Sequence, residues 1–166
     1  MLRKLISTND DPIALVLRLA LGLVIFPHGA QKLLGWFGGF GYHGTMGFFT
    51  QNLHIPAFFA FLAIVAEFFG GLGLVLGLLG RGAAFGVSVV MAVAVVLAHA
   101  HNGFFMNWAG NKTGEGFEYH ILALAIGLAV MIRGSGAFSI DRVLTRRFEA
   151  HAHPTRDLSE SAHAHS

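Results

Sequence analysis

The chain has 166 residues, one domain's worth, of which 54% are hydrophobic and only 12% charged; with a mean hydropathy of +0.62 and its apolar residues in long runs, it reads as a polytopic membrane protein, not a soluble one with a large core. The formal charge of +2 includes no basic patch interleaved with aromatics, which argues against nucleic acid as a partner. Cysteine is absent, so disulfides, thiolate metal sites and dithiol exchange are excluded.

The chain opens with a short polar stretch that places Arg3 and Lys4 ahead of any apolar run. A signal peptide starts this way too, but the run Ile13 to Leu34 is too long for one and no small-x-small cleavage pattern closes it. An uncleaved transmembrane helix over about 13–34 is therefore expected, with Pro12 in its first turn. Pro27 should kink it and free a carbonyl one turn earlier. Gly22 and Gly29 make a small-residue face, and the polar residues are Arg18, His28, Gln31 and Lys32. Arg18 and Lys32 each read either as snorkelling side chains near a helix end or as members of a polar site. His28 lies deeper, where snorkelling is harder to invoke.

Trp36 to Ile55 is a loop rich in glycine and aromatics. Met46, Phe49 and Leu53 fall at helical spacing, so a short interfacial helix is expected there. Trp36 and Tyr42 suit the aromatic belt, while His43 and His54 read as ordinary loop residues. A second span follows over about 56–79. Ala63, Ala66, Gly70, Gly73 and Gly77 form one small-residue stripe on it, against which another helix can pack closely. Glu67 lies beside that stripe near mid-span. An ionised carboxylate at such depth costs at least ~2.5 kcal/mol, so it should be protonated, paired or turned inward.

Gly80-Arg81-Gly82 reads as a tight turn, making the second and third helices adjacent and antiparallel. The third span, about 83–100, gathers its polar residues at the far end, with His101 and Asn102 just beyond His99. A glycine-rich loop carries Trp108, another belt candidate, and an Asn111-Lys112-Thr113 sequon that means little without a secretory context. The fourth span, about 117–132, opens with Glu118, Tyr119 and His120. After Gly134-Ser135-Gly136, Ser139 should cap a basic amphipathic helix over about 139–148, with Ile140, Val143, Leu144 and Phe148 on one face and Arg142, Arg146 and Arg147 on the other or at its edge. Such a helix lies on an anionic surface. Residues 149–166 form a polar, His-rich tail expected to be disordered; its His151, His153, His163 and His165 are not expected to make a specific metal site.

The expected fold is thus an all-α membrane protein, a four-transmembrane-helix bundle with a short C-terminal amphipathic interfacial helix, residues 1–148 forming the membrane domain. Basic residues concentrate at the N-terminus, at Arg81 and in the C-terminal segment, while the long loops and their borders carry only Lys32 and Lys112. The positive-inside rule then puts both termini in the cytoplasm, and in a bacterium this means the inner membrane. On that topology His28 and Glu67 fall near mid-membrane, and Gln31, Lys32, His99, His101, Glu118 and His120 fall toward the outer side, with Arg18 in the other half. One reading is a chance gathering of helix-end residues; the other is a polar cavity open to the outer face, able to bind a polar head group, relay protons or hold a metal. His99 and His101 are two apart and point about 200° away from each other on a helix, as do Glu118 and His120, which weighs against a metal. A b-type haem would need two axial histidines, for which His28 with His99 is the pair to nominate; haem and metal rank last, and no metal ligands are assigned.

Taken together, Arg18 with Gly22, HGAQKL at His28 to Leu33, AEFFGGLGLVLGLLGR at Ala66 to Arg81, GEGFE at Gly114 to Glu118 and GSGAFSIDR at Gly134 to Arg142 resemble the DoxX family. The resemblance spans roughly residues 12–145 and implies a four-helix bacterial inner-membrane protein. Its pattern falls on Arg18, Gly29, Lys32, Glu67, Gly71, Arg81 and Glu118. It also implies a link to thiosulfate:quinone oxidoreductase subunits and to membrane complexes of oxidative-stress and thiol homeostasis. Without cysteine this chain cannot itself run dithiol chemistry, but it could bind quinone or anchor a redox partner. Two functions stay open. One is a quinone-linked redox subunit, with Glu67 and His28 as catalytic residues in one polar network and Arg18, Lys32, His99, Glu118 and His120 binding the head group. The other is a non-catalytic scaffold or small-molecule carrier. The expected partners are the bilayer and either a protein of a membrane redox complex or a second copy of the chain.

Overall fold

A computed structural model describes residues 2–152, and among these there are seven α-helices and no strand. In chain order they are α1 (Leu2–Ile6), α2 (Pro12–Leu34), α3 (Gly41–Gly47, continued by a π-helical turn over Phe48–Asn52), α4 (Ala57–Leu76), α5 (Gly80–Ala94, continued by a π-helical turn Val95–His99 and a 3-10 turn Ala100–Asn102), α6 (Glu118–Arg133) and α7 (Ile140–Ala152). α7 thus runs past residue 148. The expected disorder of the tail otherwise concerns residues 153–166, outside those described.

Four helices close a ring: α2 packs on α4, α4 on α5, α5 on α6, and α6 back on α2. The outward faces carry large apolar side chains, among them Val16, Leu23, Phe58, Phe69, Val96 and Leu128, all more than half exposed. A surface like this would aggregate in water and is solvated by lipid. Three helices are long and apolar enough to cross a membrane: Pro12–Leu34, Ala57–Leu76 and Gly80–Asn102. The expected fourth, α6, has 16 residues and extends about 24 Å, short of a full hydrocarbon core.

Local chemistry sets the helix ends. The Asp11 carboxylate accepts from the backbone N–H groups of Ile13 and Ala14, Pro12 occupies the first turn, and α2 runs unbroken through Pro27 to a left-handed Gly35. The turn between α4 and α5 lies at Gly77 to Leu79, three residues before the expected Gly80–Gly82, because Gly77 and Leu79 take positive φ and Gly80 already begins α5. The Asp141 carboxylate accepts from Leu79 N and Gly80 N at 2.9 and 3.0 Å, capping α5 from outside. Ser139 caps α7 as expected, its Oγ accepting from Arg142 N at 3.1 Å.

Glycine brings the helices together on two faces of α4. On one, Gly70 and Gly73 of the small-residue stripe face Val87 and Ala83 of α5. On the other, α2 and α4 touch backbone to backbone, so that a Cβ at Gly29 would lie 2.5 Å from the Phe68 backbone. Side chains of Leu21, Ile25, Leu74, Val87, Met91 and Val130 fill the space between.

Two arginines hold the end of the bundle that carries α1 and the start of α7. All five N–H groups of the buried Arg18 donate to backbone carbonyls: Leu74 and Val75 at the C-terminus of α4, and Ser135, Ala137 and Phe138 of the α6–α7 connection. Arg81 donates likewise to Met131 and Ile132 at the end of α6, and to Lys4 and Ser7. Helix C-termini leave carbonyls without partners, and a guanidinium answers several at once. On α7 the expected basic face is partly spent inside the chain, because Arg142 and Arg146 both reach Asp10 at 2.8 Å. Arg133 pairs with Asp11 at 2.6 Å.

Candidate functional site

Glu67 is the acid in the interior of α4, only 4% exposed. Its partner is Lys32, in the last turn of α2, with Nζ 2.5 Å from Oε2. The pairing follows from the glycine contact. The missing side chain at Gly29 lets α2 lie against the backbone of Glu67 and Phe68, and Lys32, three residues on, stands on the same side of its helix. The Lys32 contact is close but off the hydrogen-bonding direction, and Oε2 has no aligned donor.

Two buried polar atoms without a protein partner lie on α6. The Tyr119 hydroxyl is buried and unpartnered. His120 is 6% exposed, and its Nδ1 is unpartnered. The His120 ring lies tilted against His99, with centroids 4.2 Å apart and planes 44° apart. His99 itself is held by the Glu115 carbonyl, 2.9 Å from its Nδ1, and Asn102 donates to the same carbonyl at 3.1 Å. A π-helical turn over Val95–His99 sets this end of α5, a feature that recurs at functional sites.

The structure therefore brings together Glu67 with Lys32, and His99 with His120. Glu118 stands at the rim, where its carboxylate takes the Trp108 indole N–H at 3.2 Å. The other two expected members lie elsewhere. His28 is exposed on the outer face of α2, so the expected His28–Glu67 network is not formed and Lys32 takes its place. Arg18 sits at the opposite end with every donor occupied by backbone. The nominated haem pair fails for the same reason, since His28 faces out and His99 is covered by the His120 ring. Among the described residues no group of three or more His, Asp or Glu side chains is placed to hold a metal ion.

Tyr119 and Ser88 are the polar residues that sequence reasoning does not single out. Ser88 is buried in mid-α5, its Oγ also unpartnered. The signal available for both was a hydroxyl inside an apolar helix. Each orphaned atom costs about 1–3 kcal/mol, and such atoms mark where water or a ligand is held.

The DoxX family model matches residues 13–100, just over half of the chain. The inner membrane protein YqjF of Escherichia coli is 28% identical over 139 residues, covering 84% of this chain and 97% of that protein. No solved structure matches.

Proposed function

The chain belongs to the DoxX family and is an integral membrane protein, and from that premise we propose that it is the membrane subunit of a quinone-linked redox or oxidative-stress complex in a bacterial inner membrane. In this reading α6 is a fourth span, both termini are cytoplasmic, and the polar site lies toward the periplasmic side. The observation that carries the proposal is the Lys32–Glu67 ion pair inside the bundle; α6 adds an unpartnered Tyr119 hydroxyl and His120 Nδ1.

The donor set fits a quinone head group, whose two carbonyl oxygens need hydrogen-bond donors in an apolar surround. The Lys32 ammonium and the Tyr119 hydroxyl can each supply one, and Glu67 beside them can hold a proton. A bound quinone would supply the electron-accepting chemistry. The chain has no thiol to be oxidised, so a partner subunit provides the reductant. The His99–His120 ring contact and the exposed Trp36, Phe40 and Trp108 lie toward the same end of the bundle.

The test is a quinone titration in lipid nanodiscs. Wild type should bind quinone saturably, and Glu67→Gln should stay folded yet lose quinone-dependent turnover with the partner complex. Absence of quinone binding by the wild type would leave the alternative, a non-catalytic scaffold or small-molecule carrier. That alternative draws on Arg18, Arg81 and Asp141, whose polar groups are used to fasten helices together.

A further inference from the structure

The outward surface of the membrane bundle is apolar with one exception. The exposed residues of α2, α4, α5 and α6 are all apolar side chains or glycine, apart from Arg133 at the very end of α6 and His28. His28 is not at a helix end. It lies about 24 Å along α2 from Pro12 and about 9 Å before Leu34. Its short stem does not carry the ring back over that distance as a lysine's would. Acyl chains can neither donate to its two nitrogens nor accept from them, so the imidazole is costly there until something covers it.

On the same face runs a row of small and β-branched residues. Val16, Ala20, Val24 and His28 follow one another at intervals of four, and all are exposed. Such a row is slim and stiff: alanine lets two backbones approach, and valine loses little side-chain freedom when packed. The outward face of α4 is built differently, from Phe58, Phe59, Phe61 and Phe69. We propose that the Val16–His28 row of α2 is the contact with a second copy of the chain, in which the two His28 rings hydrogen-bond to each other.

Depth and hydrogen-bonding capacity select a second copy over other occupants. Copies inserted in one membrane share an orientation, so a two-fold axis along the membrane normal sets each residue of α2 level with itself in the partner. His28 then meets an imidazole at its own depth, with no further polar residue to be supplied. A neutral imidazole carries one donor and one acceptor, so one ring can donate while the other accepts. Lipid offers neither group, and a different protein would need a polar side chain of its own at that level. The polar neighbours on the next turn are engaged within the chain: Gln31 donates to the Phe37 carbonyl at 3.4 Å, and Lys32 is paired with Glu67. That leaves His28 for a partner outside it. The contact requires no quinone.

The chain lacks cysteine, so a single introduced thiol reports one position. With the full chain in liposomes, Val24→Cys should give a covalent dimer with a short bis-maleimide, and Leu128→Cys, on the outward face of α6, should not. Energy transfer between copies labelled at the C-terminus, followed as lipid is added, gives the dissociation constant. His28→Leu should raise that constant about 10-fold. His28→Gln keeps a donor and an acceptor and should stay close to wild type. Both substitutions are at an exposed position, and unchanged melting temperatures of the monomer will show that the fold is kept. A wild type that is monomeric at every lipid dilution would mean that His28 meets head groups or another chain, and overturns the proposal. So does a Leu128→Cys crosslink as strong as that of Val24→Cys, or a His28→Leu dimer as tight as wild type. An intact dimer that binds no quinone would count against the quinone reading alone.

Discussion

In the Lys32–Glu67 pair the lysine keeps 27% of its side chain exposed and the glutamate 5%, so the two partners are not equivalent. With Glu67 neutralised, Lys32 can turn its ammonium toward the head-group region along its flexible stem. With Lys32 removed, the carboxylate has no such escape. Lys32→Met should therefore destabilise the protein by about 1–3 kcal/mol more than Glu67→Gln does, and the double substitution should recover part of that loss. Thermal unfolding of the three variants in one detergent checks the ordering, and a Glu67→Gln protein less stable than Lys32→Met would refute it. Residue depth was legible in the sequence: it put Glu67, Lys32, His99 and His120 in the same half of the bundle. Azimuth was not, because it depends on which face meets a neighbour. Gly22 and Gly29 mark the face of α2 that meets α4. Lys32 follows Gly29 by three residues and shares that face, whereas His28 is one residue away, about 100° around the helix. Arg18 was misjudged for a related reason, since no sequence pattern foretells that a distant Ser135–Phe138 loop will offer carbonyls to it.

At the scale of the helices, the same substitution should have opposite signs at two glycines. Gly29→Ala places a methyl group against the Phe68 backbone, which cannot give way as a side chain could. The helices must separate, taking the Lys32–Glu67 contact with them. Gly82 is an exposed residue of α5 with nothing near a new Cβ, so Gly82→Ala should gain helix propensity, about 1 kcal/mol. Detergent melting temperatures falling for the first and rising for the second would establish the sign at each site. The small-residue stripe was legible because its spacing is a property of one helix. That α4 has a second close-packed face, including Gly71 against Phe26, was not, because it needs the position of α2. A second element-level expectation concerns α7. Arg142 and Arg146 beside it hold the exposed Asp10 carboxyl at about 2, below its ordinary 3.8, and Arg133 lowers Asp11 as well. A carboxyl lowered on folding stabilises the fold above its unfolded value and loses that contribution as pH falls through the folded one. The grip of Asp10 on α7 should therefore be intact down to about pH 4 and released toward about pH 2. The chain lacks cysteine, so a single spin label at Val143→Cys reports α7 alone. Onset of its mobility well above pH 4 would mean that some other contact gives way first.

For the whole molecule the open question is how α6 sits in the bilayer. Its 16 residues are few for a span, yet it closes the ring between α5 and α2, and its outward face carries Leu122, Leu128 and Ile132. Left outside the hydrocarbon, that face would be exposed to water, and the ring would open its Val130 and Ala123 contacts. If α6 crosses, as we propose, a short span is accommodated by local thinning or by flanking side chains at its ends, Glu118 with Trp108 at one and Arg133 with Asp11 at the other. The positive-inside rule supports the proposed direction. Arg81, Arg133, Arg142 and Arg146 all stand at the end of the bundle that carries α1 and α7, and among the described residues the lysines and arginines toward the other end are Lys32 and Lys112. Reporter fusions at positions 45 and 110 should therefore read as periplasmic and fusions after position 150 as cytoplasmic. The last of these discriminates most sharply. Three spans would put the C-terminus across the membrane from the N-terminus, pulling α7 away from Asp10 and the Ser135–Phe138 loop away from Arg18. A periplasmic reading after position 150 would thus contradict the arginine clasp as well as the site, whereas a cytoplasmic one requires α6 to cross.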